Sequence, residues 1–292
     1  MPWLLGLGLL LWLGWDARPH AAARAPHQAE WLQADDVRLR AVRAGRGDTT
    51  LLLIHGYGES LMGYRAVFDA LARRYRVIAV DLPGFGLSDK PDAVYDLASY
   101  RRRLGDFLER WTRGPVVVVG HSMGGEVAAA LALDHPDRVV AAVLIAPAGF
   151  ALQPFIAGAR DVRSDARGWV ASMLSAAMPP QDPAWLGEPS ALQAYTPATD
   201  PAYRIAASRV LAEFDFLALR DSFGEIHQPV LLIWGRQDPT IPFVVGESIA
   251  ARLPCREFLP LDRVLHRPQE THPDTVVTAI ETFLSHPACG VK

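Results

Sequence analysis

The run Gly120-His121-Ser122-Met123-Gly124 sets a serine between two glycines, with one residue on either side. A serine hydroxyl attacks well only when it is exposed, when a base can take its proton and when donors await the oxyanion. Glycines two before and two after Ser122 let the backbone turn sharply enough to push the hydroxyl out. The competing reading of so short a pattern is a serine that caps a helix. What flanks the turn has to decide between them.

Four β-branched residues, Val116 to Val119, precede the turn and read as a strand buried on both faces; a small-residue helical pattern from Met123 to Ala132 follows. The serine therefore sits at a strand-to-helix junction, where a new helix aims its free N–H groups. Around it the chain alternates in the same way. Strands are expected at Val37 to Val42, Thr50 to Ile54, Arg76 to Val80 and Val139 to Ile145, with helical patterns at Leu61 to Arg73 and Tyr100 to Trp111. After a gap come a strand at Pro229 to Trp234, a helix at Val244 to Arg252, a short strand at Glu257 to Leu261 and a helix at Pro273 to Leu284. Such alternation with short glycine-rich turns gives an α/β fold, a mostly parallel central sheet with helices on both faces. The core is expected to comprise residues 34–147 and 227–292, after a hydrophobic segment and linker over 1–33.

Residues 148–226 break the rhythm: no buried-strand run occurs there, only helical pieces and repeated prolines. A segment this long is too long for a bare loop and reads as an inserted helical cap. Trp169, Met173, Met178, Trp185, Tyr195, Phe214, Phe216 and Phe223 lie in it. Most are expected to pack the cap onto the sheet and some to line a pocket.

In a parallel sheet, ligands bind beyond the carboxyl ends of the strands. The positions just past the expected strands are His55 to Gly58, Ser122, Asp238 and His266. A serine nucleophile needs a base and the base an orienting carboxylate, and Asp238 and His266 follow Ser122 in the chain in that order. With His55-Gly56-Tyr57-Gly58, Asp81 to Ser88, Gly120 to Gly125, the Gly235 to Asp238 turn, and His266 with Pro268 behind it, the chain resembles the α/β-hydrolase fold superfamily beyond Gln33. The likeness is to its group with a helical cap between the sixth and seventh strands. It departs in two places: Leu265 stands where a glycine usually precedes the histidine, and Glu270 falls one residue earlier than the usual acidic position.

The resemblance implies Ser122 as nucleophile, His266 as general base then acid, Asp238 as its orienter, and the backbone N–H groups of Tyr57 and Met123 as an oxyanion hole. Those two positions also follow from the chain itself, since Met123 opens a helix and Tyr57 follows a glycine at a strand end. Other histidines and carboxylates are less well placed. His272 sits between Thr271 and Pro273 at a helix start; Asp262 and Asp274 do not directly follow a strand within a proline-ended turn; His121 is expected to pack beside the sheet and His55 to brace the oxyanion loop; Asp81 and Asp89 are expected to fix their own turns.

A serine at the elbow, instead of an aspartate, favours acyl transfer to water. The expected substrate is a small-molecule carboxylic ester with an apolar acyl group. Carbon–carbon hydrolysis and thioester hydrolysis belong to the same fold, although Arg267 follows the histidine where carbon–carbon hydrolases often carry tryptophan. A reading of another class is a ligand-binding protein of this fold with little turnover. No cofactor is implied, and no histidine or cysteine pair has metal-ligand spacing.

Composition bounds the rest. The 292 residues suit one large domain, and 29 basic against 32 acidic residues, without a basic aromatic-interleaved run, give no footprint for nucleic acid. Pro2 to Trp15 is apolar throughout and is followed by Ala21-Ala22-Ala23, which resembles a signal peptide, yet Arg18 and Arg24 lie on its far side and no basic residue precedes it. Export through a cleaved signal and membrane association through residues 2–15 both stand as readings, and each places the protein in the cell envelope. Cys255 and Cys289 read most simply as two thiols; in an exported domain they could form a disulfide.

Overall fold

A computed structural model describes residues 27–150, 183–186 and 200–286. Among the described residues, eight strands form one sheet: β1 (Ala29–Ala34), β2 (Val37–Ala44), β3 (Thr50–Ile54), β4 (Arg76–Val80), β5 (Val116–His121), β6 (Val139–Ile145), β7 (Val230–Gly235) and β8 (Arg256–Leu261). Their order is β1-β2-β4-β3-β5-β6-β7-β8. The pairs from β4 to β8 are parallel, while β2 lies antiparallel to both β1 and β4.

β3 and β5 are buried at every position, and their alternate residues face different layers. Leu51, Leu53, Val117 and Val119 join the core shared with α1 (Arg65–Leu71) and the C-terminal helix Pro273–Ser285. Leu52, Ile54, Val116 and Val118 join the opposite core, with α2 (Leu97–Trp111) and α3 (Met123–Asp134). Burial on both faces is the reason these strands read as unbroken apolar runs.

The remaining α-helices among the described residues are α4 (Pro183–Leu186), α5 (Pro201–Glu213), α6 (Phe243–Ala250), α7 (Pro268–Thr271) and α8 (Pro273–Ser285). Between β6 and β7 the described residues form helix or turn and no strand. Trp169, Met173, Met178 and Tyr195 lie outside the described residues, as does the apolar stretch 2–15. No helix among the described residues is long and apolar enough to cross a membrane.

One expectation needs correcting. Residues 22–33 read as a linker, but Ala29–Ala34 is a strand whose residue pairs with β2 run from Ala29 with Val42 to Ala34 with Val37. Asp35, with φ of 51°, turns the hairpin. As an edge strand it buries only Leu32 and Ala34 and leaves Trp31 45% exposed, so it carries none of the apolar run that marks the central strands.

The strand order fixes where a site can form. From β3 the chain crosses to β4 on one side, and from β5 it proceeds to β6 on the other. The crevice beyond adjacent strands whose connections diverge is the preferred ligand position in an open parallel sheet. Gly56-Tyr57 and Ser122 follow these two strands.

Candidate active site

Ser122 links β5 to α3 with φ of 54° and ψ of −121°. A residue with a Cβ is strained in this left-handed region, and no side-chain hydrogen bond to the helix compensates. The serine is therefore not a conventional helix cap. Close packing forces the turn: a Cβ on Gly124 would lie 2.3 Å from the carbonyl oxygens of Ile54 and His55, so only glycine lets α3 come this near β3. Gly56 faces the serine from the other strand, where a Cβ would stand 3.0 Å from the Ser122 Cβ.

Asp238 and His266 are brought together. The His266 Nδ1 lies 2.7 Å from Asp238 Oδ2. Asp238 Oδ1 accepts from the N–H groups of Thr240 at 2.8 Å and Ile241 at 2.9 Å, which hold the carboxylate in one orientation. With Nδ1–H donated to a carboxylate, Nε2 of His266 is the basic nitrogen. Burial, above all, holds the His266 pKa below the usual histidine value; the positive charge of His121 adds to this and Asp238 opposes it. Ser122 follows His121, whose ring centroid is 4.7 Å from that of His266.

The loop after β3 is braced from several sides. His55 is neutral: its Nδ1 donates to the Gly56 carbonyl at 2.7 Å and its Nε2 accepts from Leu82 N–H at 2.9 Å. Because C=O and N–H of one peptide point in opposite directions, a Gly56 carbonyl turned to His55 sends the Tyr57 N–H the other way. Met123 opens α3, so its N–H has no acceptor within the helix. The Tyr57 hydroxyl donates to the Ala207 carbonyl on α5 at 3.1 Å, and Tyr57, Phe85 and Tyr203 form an edge-on chain of rings with centroids 5.4 and 5.8 Å apart.

The competing residues lie elsewhere. His272 is exposed and contacts the Thr271 hydroxyl; Asp262 is exposed and pairs with Arg236; Asp274 is exposed in the first turn of α8. Asp81 does more than close its own turn, since it accepts from Leu61 N–H and Leu87 N–H and pairs with the buried Arg40. Asp89 pairs with Arg38. His121 also does more than pack, because its ring bonds Glu59 and the His266 carbonyl. Glu59 was missed altogether: it stands one place past the glycine-rich run, and nothing in its spacing marks it. Among the described residues no cluster of histidine, cysteine and carboxylate side chains has the form of a metal site.

A family model described as alpha/beta hydrolase fold matches residues 49–273. The chain belongs to the α/β-hydrolase fold family. It is 29% identical over 272 residues to a 2-hydroxy-6-oxo-6-(2'-aminophenyl)hexa-2,4-dienoic acid hydrolase of Metapseudomonas resinovorans, covering 88% of this chain and 91% of that protein. Against an acetyltransferase component of the acetoin cleaving system of Cupriavidus necator, identity is 42%, but over 135 residues, 46% of this chain and 35% of that protein. Among solved structures, a serine hydrolase involved in carbazole degradation is similar, with TM-score 0.68 and 26% identity over 89% of this chain and 99% of that one. A bacterial membrane phospholipase A is similar too, with TM-score 0.66 and 25% identity over 89% of this chain and 86% of that one.

Proposed function

We propose that this hydrolase-family protein is a serine hydrolase that cleaves a carboxylic ester with an apolar acyl group through an acyl-enzyme. The observation that carries the reading is Ser122, held at a left-handed φ of 54° on a strand-to-helix turn directly after His121, whose ring centroid is 4.7 Å from that of His266, while His266 Nδ1 is 2.7 Å from the buried Asp238 carboxylate. As the Ser122 Oγ attacks the ester carbonyl, its proton passes to His266 Nε2. The carbonyl oxygen becomes an oxyanion facing the N–H groups of Met123 and Tyr57. Collapse breaks the bond to the alcohol, which leaves with the proton from His266 Nε2. Water then gives a proton to the same nitrogen as it attacks the acyl carbon, and collapse breaks the bond to Ser122 Oγ, which takes that proton back from His266 as the acid leaves. Asp238 keeps the imidazole in the required tautomer and stabilises it when charged.

The stretch 148–226 acts in this reading as a cap over the strand ends, with α5 contributing Tyr203 and Ala207 beside Tyr57 and Phe85. Specificity for the acyl group resides there.

A fluorophosphonate probe tests the mechanism: labelling of the wild type and none of Ser122→Ala is expected, with ester turnover lost by at least ~10⁴-fold in that variant. Folded wild-type protein that resists the probe would instead favour a ligand-binding role with little turnover. p-Nitrophenyl esters of increasing chain length then define the acyl preference. The likeness to a dienoic acid hydrolase favours a second reading, hydrolysis of a carbon–carbon bond by the same residues. Faster turnover of a 2-hydroxy-6-oxo-hexadienoate than of every ester would establish it, and a thioester series covers the remaining alternative.

A further inference from the structure

Behind the reacting groups lies a second set of charged side chains that the acyl-transfer steps do not use. Glu59 is buried, with 3% side-chain exposure, yet three donors converge on it. Its Oε2 accepts from Gly56 N–H at 2.9 Å and faces His121 Nδ1 at 3.1 Å, and its Oε1 lies 3.1 Å from Arg267 Nη2. His121, fully buried, turns its other ring nitrogen to the His266 carbonyl at 2.9 Å. These contacts join the oxyanion loop, the residue before the nucleophile and the backbone of the base.

The proton count follows from the partners. A carbonyl oxygen has no proton to give, so His121 Nε2 must donate. Glu59 meets the Arg267 guanidinium on one oxygen and the Gly56 N–H on the other, an environment that favours its ionised form. His121 Nδ1 must then donate as well, and a ring that donates at both nitrogens is an imidazolium. We propose that Glu59 and His121 form a buried carboxylate–imidazolium pair, positioning residues that hold the His266 loop and the Gly56-Tyr57 peptide in register around Ser122.

A second effect comes with the charge. Two further charges face this pair: Arg267 from the base loop, 3.1 Å from Glu59, and Glu270 from α7, which pairs with Arg267 at 3.4 Å. His266 faces Asp238 on one side and His121 with Glu59 on the other. Burial works against a charged His121, but Glu59 outweighs it and raises the imidazole's pKa, while burial costs Glu59 less than His121, Arg267 and the Gly56 N–H return to it. The cation next to His266 favours the neutral, basic form of the catalytic ring between turnovers. The catalytic part of this inference rests on the ester hydrolase reading; the protonation part does not.

The ring-nitrogen state is read by ¹⁵N–¹H spectra of the full-length protein labelled at histidine, at pH 8. One doubly protonated ring is expected in the wild type, and it should be absent in both His121→Gln and Glu59→Gln. Wild-type spectra with only neutral rings would overturn the proposal without any variant having to fold. For catalysis, His121→Gln should lower kcat by about 10- to 100-fold with KM changed little, and raise the acid limb of the kcat/KM profile by about one unit. Glu59→Gln should lower kcat similarly with a smaller shift of that limb, because the carboxylate and the imidazolium charge vanish together. Rates are taken per site titrated with the fluorophosphonate. Variants whose loss lies entirely in the number of titratable sites, with kcat and the limb unchanged per site, would assign the pair a purely structural role and refute positioning. Absence of fluorophosphonate labelling in the wild type would defeat the hydrolase reading alone and leave the spectra to decide the pair.

Discussion

Ser122 stores strain that glycine would not. With φ of 54°, its Cβ costs on the order of 1 kcal/mol in this left-handed region. Ser122→Gly is therefore expected to raise stability in urea unfolding by about 1 kcal/mol while abolishing ester turnover; unchanged or lower stability would show that the surroundings do not hold the serine against its preference. Glu126, one turn further along α3, is a different case. It is buried, neither carboxyl oxygen has a hydrogen-bond partner among the described residues, and the nearby Ala218 N–H is committed to the Asp215 carbonyl. Burial first and Asp215 second push its pKa well above the usual carboxylate range. A raised acid is neutral in the fold, so the stability it allows is complete below the unfolded value of 4.5 and is lost as pH rises towards the folded one. Glu126→Gln should raise the melting temperature more at pH 8 than at pH 5, and equal shifts would contradict this. For His266 the sign concerns activity: with its pKa held below 6.5, mainly by burial, the acid limb of kcat/KM for an ester should have its midpoint below pH 6.5. A midpoint above pH 7 in the wild type would refute that assignment.

The strand-to-helix junction is an element-scale device, because α3 can only start where it does if β3, β5 and the helix nearly touch. Gly124→Ala places a Cβ 2.3 Å from two backbone oxygens that cannot swing away, whereas a Cβ on Gly224 meets nothing nearer than 3.7 Å. The first substitution should cost about 1–3 kcal/mol and slow fluorophosphonate labelling, and the second should stay within about 0.5 kcal/mol; equal costs would mean that α3 can shift freely. This crowding is also why so much was legible in the sequence. β3, β4 and β6 fall at the expected residues because strands buried on both faces must be apolar throughout, and the glycines at 120 and 124 mark the only backbone that fits between them. That Asp238 and His266 meet has a topological reason: both follow strands whose carboxyl ends point to one crevice. β1 escaped because an edge strand needs little apolar surface, and α2 starts at Leu97, ahead of the expected Tyr100, because the Asp96 side chain caps Ser99 N–H. The Glu59 and His121 pair escaped for another reason. Its contact joins residues 62 apart in sequence, in a geometry set by the closed fold and not by any local spacing.

At the scale of the molecule, one covalent link bears on where the protein works. Cys255, just before β8, is disulfide-bonded, and the chain's other cysteine, Cys289, lies outside the described residues. Disulfides persist in oxidising compartments and are rare among cytosolic proteins. Among the described residues β8 pairs with β7 alone, so a cross-link at its start restrains a strand held by one neighbour. We propose that the apolar stretch 2–15 delivers the chain to the cell envelope, where this bond can form. The expected outcome is twofold. Protein unfolded without reductant should show no titratable thiol, and reduction should lower stability by about 2–4 kcal/mol, read as a drop in the melting temperature. Membrane fractionation with N-terminal sequencing then separates a cleaved leader from a retained anchor. Two free thiols together with an intact Met1 in the soluble fraction would remove both the bond and the destination it implies, while leaving the chemistry of Ser122, which depends on neither, to its own tests.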